Sequence, residues 1–526
     1  MKECVIVAHS EADIDSLHAE LVATGTEVAD LVPLNELTYH YMLADEEAAK
    51  LATDPRVAHI HYKLPASAAR PHVIRVDSPP HVAPDVVETP RAYNGIAGNF
   101  ARRATNPDLY NVNWGLRRAT LNTTEATAGT TYAANRDGTG VDIVIMDDGV
   151  QSGHPEFGSR LKEIDWFQAA GVAGTMPAGF YDYSIYGEGE HGTHVAGIAA
   201  GTTYGAAKGA NIYSLRIFDK TTSGPVKSFD PYTAFDILRA WHVKKFAQGG
   251  SRRPTIVNMS WGYVWNYSEN PNRPSQKVIN KIFYEGVATN YSSYTQYLPS
   301  KGMVGPQHCV IDPATETRIA QGQAAGIVYV TAAGNYGHKV DVSGGTDYNN
   351  YYTLPFSGAI APANTPIYYH RGGSPGGTVR VSASDSTTVK SGSSYLEQLA
   401  YYSERGPGCD VISPGTDITS STSNQSSFTP FPYVFGTQQQ SAVFKACKIA
   451  GTSMATPNVT GLCALYMQAN STATPGQVKT WLTGQAKPNQ VYNPTTSTNA
   501  WTNSTALLGA PNRFLYNPYH GGYTGS

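Results

Sequence analysis

The chain has 526 residues, 41% of them hydrophobic and only 15% charged, with a formal net charge of −3. Such a length asks for one large domain with accessory segments, and the apolar content is ample for a core. The sparse, nearly balanced charge argues against a dedicated nucleic-acid binder, and the isolated Arg pairs at 102–103, 117–118 and 252–253 read as surface charge.

In chain order, Cys4-Val5-Ile6-Val7 reads as a short strand. Ser10 is a plausible cap for a helix from Glu11 to Ala23, in which Ile14, Leu17, Leu21 and Val22 fall at helical spacing. A second helix is predicted at Asp45–Leu51, and Val57–Tyr62 reads as a strand after the Asp54-Pro55 break. Residues 1–63 therefore form a small split β-α-β unit of α+β, ferredoxin-like character. The N-terminal residues show no long apolar run after a basic start, and no stretch has the length of a membrane span. The expectation is no membrane association and cytoplasmic synthesis, with incorporation into a larger particle left open. Five cysteines without a CxxC favour free thiols over a disulfide framework, although a Cys409–Cys447 pairing is not settled by sequence.

Residues 64–104 are rich in Pro, Ala, Arg and Val without a sustained period, and read as a linker arm. Beyond them, continuous apolar strands at 141–146, 211–217, 255–259 and 326–330 alternate with helical patterns at 193–200, 233–247 and 317–324. That alternation predicts a doubly wound, mostly parallel α/β sheet covered on both faces. Functional groups in such sheets gather at the carboxyl ends of the strands. The 141–146 strand runs into Asp147-Asp148-Gly149, and the 326–330 strand leads to Thr331-Ala332-Ala333-Gly334-Asn335. His191 and Ser453 each stand at the start of a helix, where unpaired N–H groups and the helix dipole favour negative charge.

Met146-Asp147-Asp148-Gly149, Glu190-His191-Gly192-Thr193-His194-Val195-Ala196-Gly197 and Gly451-Thr452-Ser453-Met454-Ala455-Thr456-Pro457 together resemble the subtilases, the subtilisin-like serine proteases, and among them most of all the proteinase K branch. The motifs follow the family order Asp, His, Ser, and the resemblance covers roughly 105–517. It implies an endopeptidase with Ser453 as nucleophile, His191 as general base and Asp147 as the carboxylate that orients the imidazole. It also implies an oxyanion hole made by Asn335 and the Ser453 backbone N–H. Substrate would add as an extended strand at Ser260, Trp261 and Gly262, with Ala332, Ala333 and Gly334 walling the primary pocket. Asp148 is the competitor of Asp147, and His194 in the HxxH pattern reads as a packed structural histidine rather than a metal ligand. No cofactor is required. Structural calcium occurs in the family, but no ligand set can be matched here.

The resemblance further implies that 1–63 is an inhibitor-type pro-domain, so that the partners are a protein or peptide substrate and the chain's own N-terminal unit. Three departures from the family pattern stand out. An insertion at about 263–313 emerges beside the inferred substrate strand, as a lid or docking surface. A second, at about 419–448, precedes Ser453. The arm 64–104 offers two windows for self-cleavage, Tyr62–Ala69 and Arg102–Asn106, and 518–526 reads as a tail. The competing function is a subtilase-fold structural or assembly protein, for example virion-associated, with restricted activity. The complete set of catalytic residue types favours the enzyme.

Overall fold

The computed structural model describes residues 2–28, 37–62, 72–75, 100–102, 114–120, 132, 134–219, 225–247, 253–266, 281–284, 287–290, 307–309, 312–353, 364–366, 377–391, 394–428, 431–435, 439–494 and 506–519. The first two of these ranges hold β1 (Lys2–Ala8), α1 (Glu11–Ala23), β2 (Glu27–Val28), β3 (Thr38–Leu43), α2 (Asp45–Leu51) and β4 (Val57–Tyr62). The four strands form an antiparallel sheet in the order β2-β3-β1-β4. Ser10 caps α1 by accepting the Asp13 N–H, and Ile14, Leu17 and Leu21 pack on Cys4, Ile6, Tyr41 and Leu43. Alternate residues of these strands point the other way, yet Val5, Val7, Thr38 and His40 are buried as well. The second sheet face is therefore covered by the rest of the chain.

Two short strands follow, β5 (His72–Arg75) and β6 (Phe100–Arg102), both in the stretch whose composition predicts an irregular arm. They form because each adds to the edge of a distant strand, a pairing that local periodicity does not encode.

The main body contains α3 (Trp114–Thr120), β7 (Asp142–Asp147), β8 (Leu161–Lys162), α4 (Trp166–Ala170), α5 (Glu190–Ala200), β9 (Asn211–Arg216), α6 (Pro231–Ala247), β10 (Thr255–Met259), β11 (Trp261–Asn266), β12 (Lys281–Tyr284), β13 (Val287–Asn290), β14 (Gln307–Cys309), α7 (Pro313–Ala324) and β15 (Val328–Ala332). After these come β16 (Tyr351–Thr353), β17 (Asn364–Pro366), β18 (Val379–Ser391), β19 (Ser394–Leu399), β20 (Val411–Pro414), β21 (Ile418–Thr422), β22 (Phe431–Phe435), β23 (Gln439–Ile449), α8 (Thr452–Ala469), α9 (Pro475–Gln485), β24 (Lys487–Pro488) and β25 (Arg513–Phe514). The central sheet runs β24-β25-β20-β18-β15-β10-β7-β9-β8, and β25 through β8 are mutually parallel.

The predicted α/β class is thus present, with apolar residues on both faces of each inner strand. Ile143 and Ile145 join the core beneath α5 and α8, whereas Val144 and Met146 join the core beneath α4 and α6. Val328 and Val330 against Tyr329 repeat the split. From β7 the chain moves out to β8 and β9 on one side, then crosses to β10, β15, β18 and β20 on the other. The reversal lies between β7 and β10, and it leaves a crevice at their carboxyl ends.

The described residues of the two insertions are mostly strands. β11 extends to Asn266 and is flanked by β14 on one side and β5 on the other, while β12 and β13 form a hairpin on β16 and β17. Among the described residues before Ser453, β21, β23 and β22 form a three-stranded sheet. The expected tail begins by packing on the body, because Tyr519 stacks on Trp481 at 5.8 Å between ring centroids and accepts the Asn135 N–H on its carbonyl. No helix among the described residues is long and apolar enough to cross a membrane.

Candidate active site

Asp147 is the last residue of β7, and its side chain is fully buried at the crevice. His191 lies one residue into α5 and is 1% exposed. Its Nδ1 donates to both Asp147 oxygens, at 2.9 Å to Oδ1 and 3.0 Å to Oδ2. A proton on Nδ1 leaves the lone pair on Nε2, the tautomer a general base needs. Asp147 Oδ1 also accepts the Asp148 N–H at 2.8 Å, which fixes the carboxylate plane.

The two adjacent aspartates hold different parts of the same histidine. The Asp148 carboxylate accepts from the backbone, at 2.6 Å from the Gly192 N–H and 3.3 Å from the His191 N–H. Gly192 is required there, because a Cβ would collide with the Gly149 carbonyl oxygen.

Ser453 is the second residue of α8 and is buried. A reciprocal pair of hydrogen bonds ties it to the tip of β10. Ser453 Oγ donates to the Ser260 carbonyl at 3.1 Å, and Ser260 Oγ donates to the Ser453 carbonyl at 3.0 Å. The brace continues inward, since Asn258 Nδ2 donates to Ser260 Oγ at 2.9 Å and Thr460 Oγ1 donates to Asn258 Oδ1 at 2.9 Å. The Ser453 N–H lies in the first turn of α8, at the positive end of the helix dipole.

Asn335 follows β15 by three residues and is 1% exposed. Its Oδ1 accepts both the Thr452 N–H and the Thr452 hydroxyl, each at 2.9 Å, and Thr452 Oγ1 in turn accepts the Gly334 N–H at 3.1 Å. Its oxygen is thereby committed to the residue before Ser453, so the NH2 is the end with hydrogens to offer. Asn335 and Ser453 are thus joined through a single residue.

The other expected wall residues also converge. Ser260, Trp261, Ala332 and Ala333 are fully buried, and Trp261 packs against Phe218 and Phe235. Gly334 has φ +123°, a region that disfavours side chains, and a Cβ there would meet the Glu404 carboxyl.

His194, three residues after His191, belongs to the packing. Its Nε2 donates to the Cys447 carbonyl at 3.2 Å, and burial holds its pKa down at about 3. No group of three or more His, Cys, Asp or Glu placed to hold a metal ion occurs among the described residues. Cys409 and Cys447 are buried free thiols, both pushed up in pKa by burial.

Sequence reasoning did not find the roles of Asp148, Thr452, Asn258 and Thr460. Only their neighbours in the motifs hinted at them, since each acts through a contact between distant elements.

The profile described as the Subtilase family matches residues 138–505. An extracellular serine proteinase of Thermus sp. (strain Rt41A) is 26% identical over 90% of this chain and 74% of its own length. Proteinase T of Parengyodontium album is 26% identical over 67% of this chain and 80% of its own. Among solved structures, a cold-adapted subtilisin-like serine proteinase is 23% identical, with a TM-score of 0.44 over 77% of this chain and 98% of its own. The profile match spans well over half of the chain, including the strand that ends in Asp147 and the helices whose first turns hold His191 and Ser453, and on that ground the chain belongs to the subtilase family, the subtilisin-like serine proteases.

Proposed function

We propose that this subtilase is an endopeptidase that cleaves protein or peptide chains through an Asp147–His191–Ser453 triad, and that it is made as a self-inhibited zymogen. Ser453 Oγ attacks the scissile carbonyl while His191 Nε2 takes its proton, and Asp147 steadies the imidazolium that results. The carbonyl oxygen becomes an oxyanion facing the Ser453 N–H and the Asn335 NH2. The imidazolium then returns the proton to the leaving amine, and a water molecule repeats the cycle on the acyl-enzyme. The observation that carries this reading is the bidentate hold of Asp147 on His191 Nδ1, which selects the basic tautomer in a buried site.

The zymogen half rests on two contacts. β5 pairs antiparallel with the strand a substrate is expected to join, Arg75 opposite Trp261 and Ile74 opposite Gly262. The N-terminal sheet meets the body where Arg318 Nη2 donates to Thr38 Oγ1 at 3.1 Å, while Arg318 Nε holds Asp236 at 2.9 Å. A substrate strand would have to displace β5. The register of Arg75 opposite Trp261 supports self-cleavage just past Arg75, between the windows Tyr62–Ala69 and Arg102–Asn106.

Intact-mass measurement of the wild type beside Ser453→Ala tests both halves, together with hydrolysis of an unstructured protein substrate. The expected result is substrate cleavage and loss of an N-terminal fragment in the wild type alone. Substrate left intact by both proteins would overturn the endopeptidase reading. Substrate cleavage with equal masses, apart from the substitution, would overturn the zymogen half.

A further inference from the structure

Asp148 stands beside the triad without being part of it. α5 starts at Glu190 behind Gly189, which has φ +61° and no side chain with which to cap the helix. The first backbone N–H groups of a helix need an outside acceptor, and the N–H groups two and three residues past the cap are those a capping side chain would normally serve. Here those two groups belong to His191 and Gly192, and the carboxylate of Asp148 takes both. The cap is supplied in trans, from the end of β7, by the residue next to Asp147.

Two further contacts make the junction tight. Gly192 lies against the Gly149 carbonyl with no room for a Cβ, and the Gln151 N–H donates to Thr193 Oγ1 at 2.9 Å. The segment that follows Asp147 is thus fastened to α5 at three successive residues, His191, Gly192 and Thr193. The imidazole and its orienting carboxylate become one rigid unit.

We infer that Asp148 is a positioning residue of the proteolytic site. It fixes the backbone of His191 relative to Asp147, and its carboxylate charge favours the imidazolium formed during acyl transfer. The inference rests on the function proposed above, since it assigns a role within that reaction. The other charged groups around His191 leave this role to Asp148. Asp147 serves the imidazole directly, and Glu190 is tied to Ser426 and Ser427 of the neighbouring loop. His194 is neutral at ordinary pH, and Arg216 at the tip of β9 is paired with Glu188 at 2.6 Å. β21 and α8, which also pack on α5, contain no charged residue.

The test compares wild type, Asp148→Asn and Asp148→Ala as mature enzymes, with active sites counted by fluorophosphonate titration and kcat and KM measured from pH 5 to 10. Asp148→Asn keeps an oxygen for one N–H but loses the charge, whereas Asp148→Ala loses both. For Asp148→Ala, kcat per titrated site should fall by about tenfold or more with KM changed by less than about twofold. For Asp148→Asn, kcat on the alkaline plateau should fall less, while the acid limb of kcat/KM moves down by about half a pH unit. A purely structural cap would lower the titratable fraction or the melting temperature but leave the acid limb in place. An unshifted acid limb in Asp148→Asn, with wild-type kcat per site in either variant, overturns the inference. A wild type without hydrolytic activity would instead count against the proposed function.

Discussion

Replacing Asn335 with alanine probes the oxyanion hole and its scaffold together, and the two parts can be separated. The NH2 group is the donor that a developing oxyanion would use, and loss of one such donor typically costs about 3 to 4 kcal/mol in the barrier. At about 1.4 kcal/mol per tenfold, that is a fall in kcat of roughly 150-fold or more. KM should barely move, because the interaction is made only in the transition state. The carbonyl end of the same amide holds the Thr452 N–H and hydroxyl, each at 2.9 Å. Alanine orphans both groups in a buried site, at a stability cost on the order of 1–3 kcal/mol. Asn335→Asp keeps the acceptor and removes the donor, so it should lose at least as much kcat as alanine while melting closer to the wild type. The assay is hydrolysis of a chromogenic peptide by titrated enzyme, with thermal melts alongside. A kcat for Asn335→Ala within about threefold of wild type would refute the assignment.

Asp147→Asn should reduce kcat by about 10⁴-fold with little change in KM, since the amide no longer selects the Nδ1–H tautomer; steady-state kinetics decide this, and a loss under tenfold would contradict it. His154, His194 and His242 are held neutral by burial, with pKa values lowered to about 4, 3 and 3. Each is protonated in the unfolded chain below about pH 6.5 but not in the folded one, so stability is full above that value and falls as pH drops toward 4 and 3. The contribution approaches about 1.4 kcal/mol per pH unit for each group, and urea titrations at pH 7, 5.5 and 4.5 should show it. Arg318→Ala removes the ion pair to the buried Asp236 and the hydrogen bond to Thr38. In a Ser453→Ala background it should speed proteolytic removal of the N-terminal unit several-fold, measured by limited trypsinolysis, and should lower the melting temperature.

Much of the site was legible because it is written in short contiguous motifs. Asp147 ends β7, His191 and Ser453 lie in the first turns of α5 and α8, and Asn335 follows β15, and the patterns of those elements read directly. The helix over Glu11–Ala23 was likewise legible from its cap and spacing. The arm was not, because β5 and β6 become strands only by pairing with residues far along the chain. The braces were hidden for the same reason. Thr452 to Asn335, Asn258 to Thr460 and Asp148 to Gly192 are contacts over long sequence separations, and nothing in local composition distinguishes them from ordinary polar residues.

The central claim is that Ser453 is a nucleophile activated by His191 and Asp147. The most direct measurement is stoichiometric labelling of the purified protein with a fluorophosphonate probe, read by intact mass, for wild type, Ser453→Ala and His191→Ala. One probe adduct per wild-type chain is expected, mapped to Ser453 by peptide digestion, with slow labelling of His191→Ala and none of Ser453→Ala. Equal labelling of wild type and Ser453→Ala, or an adduct on a different residue, would contradict it.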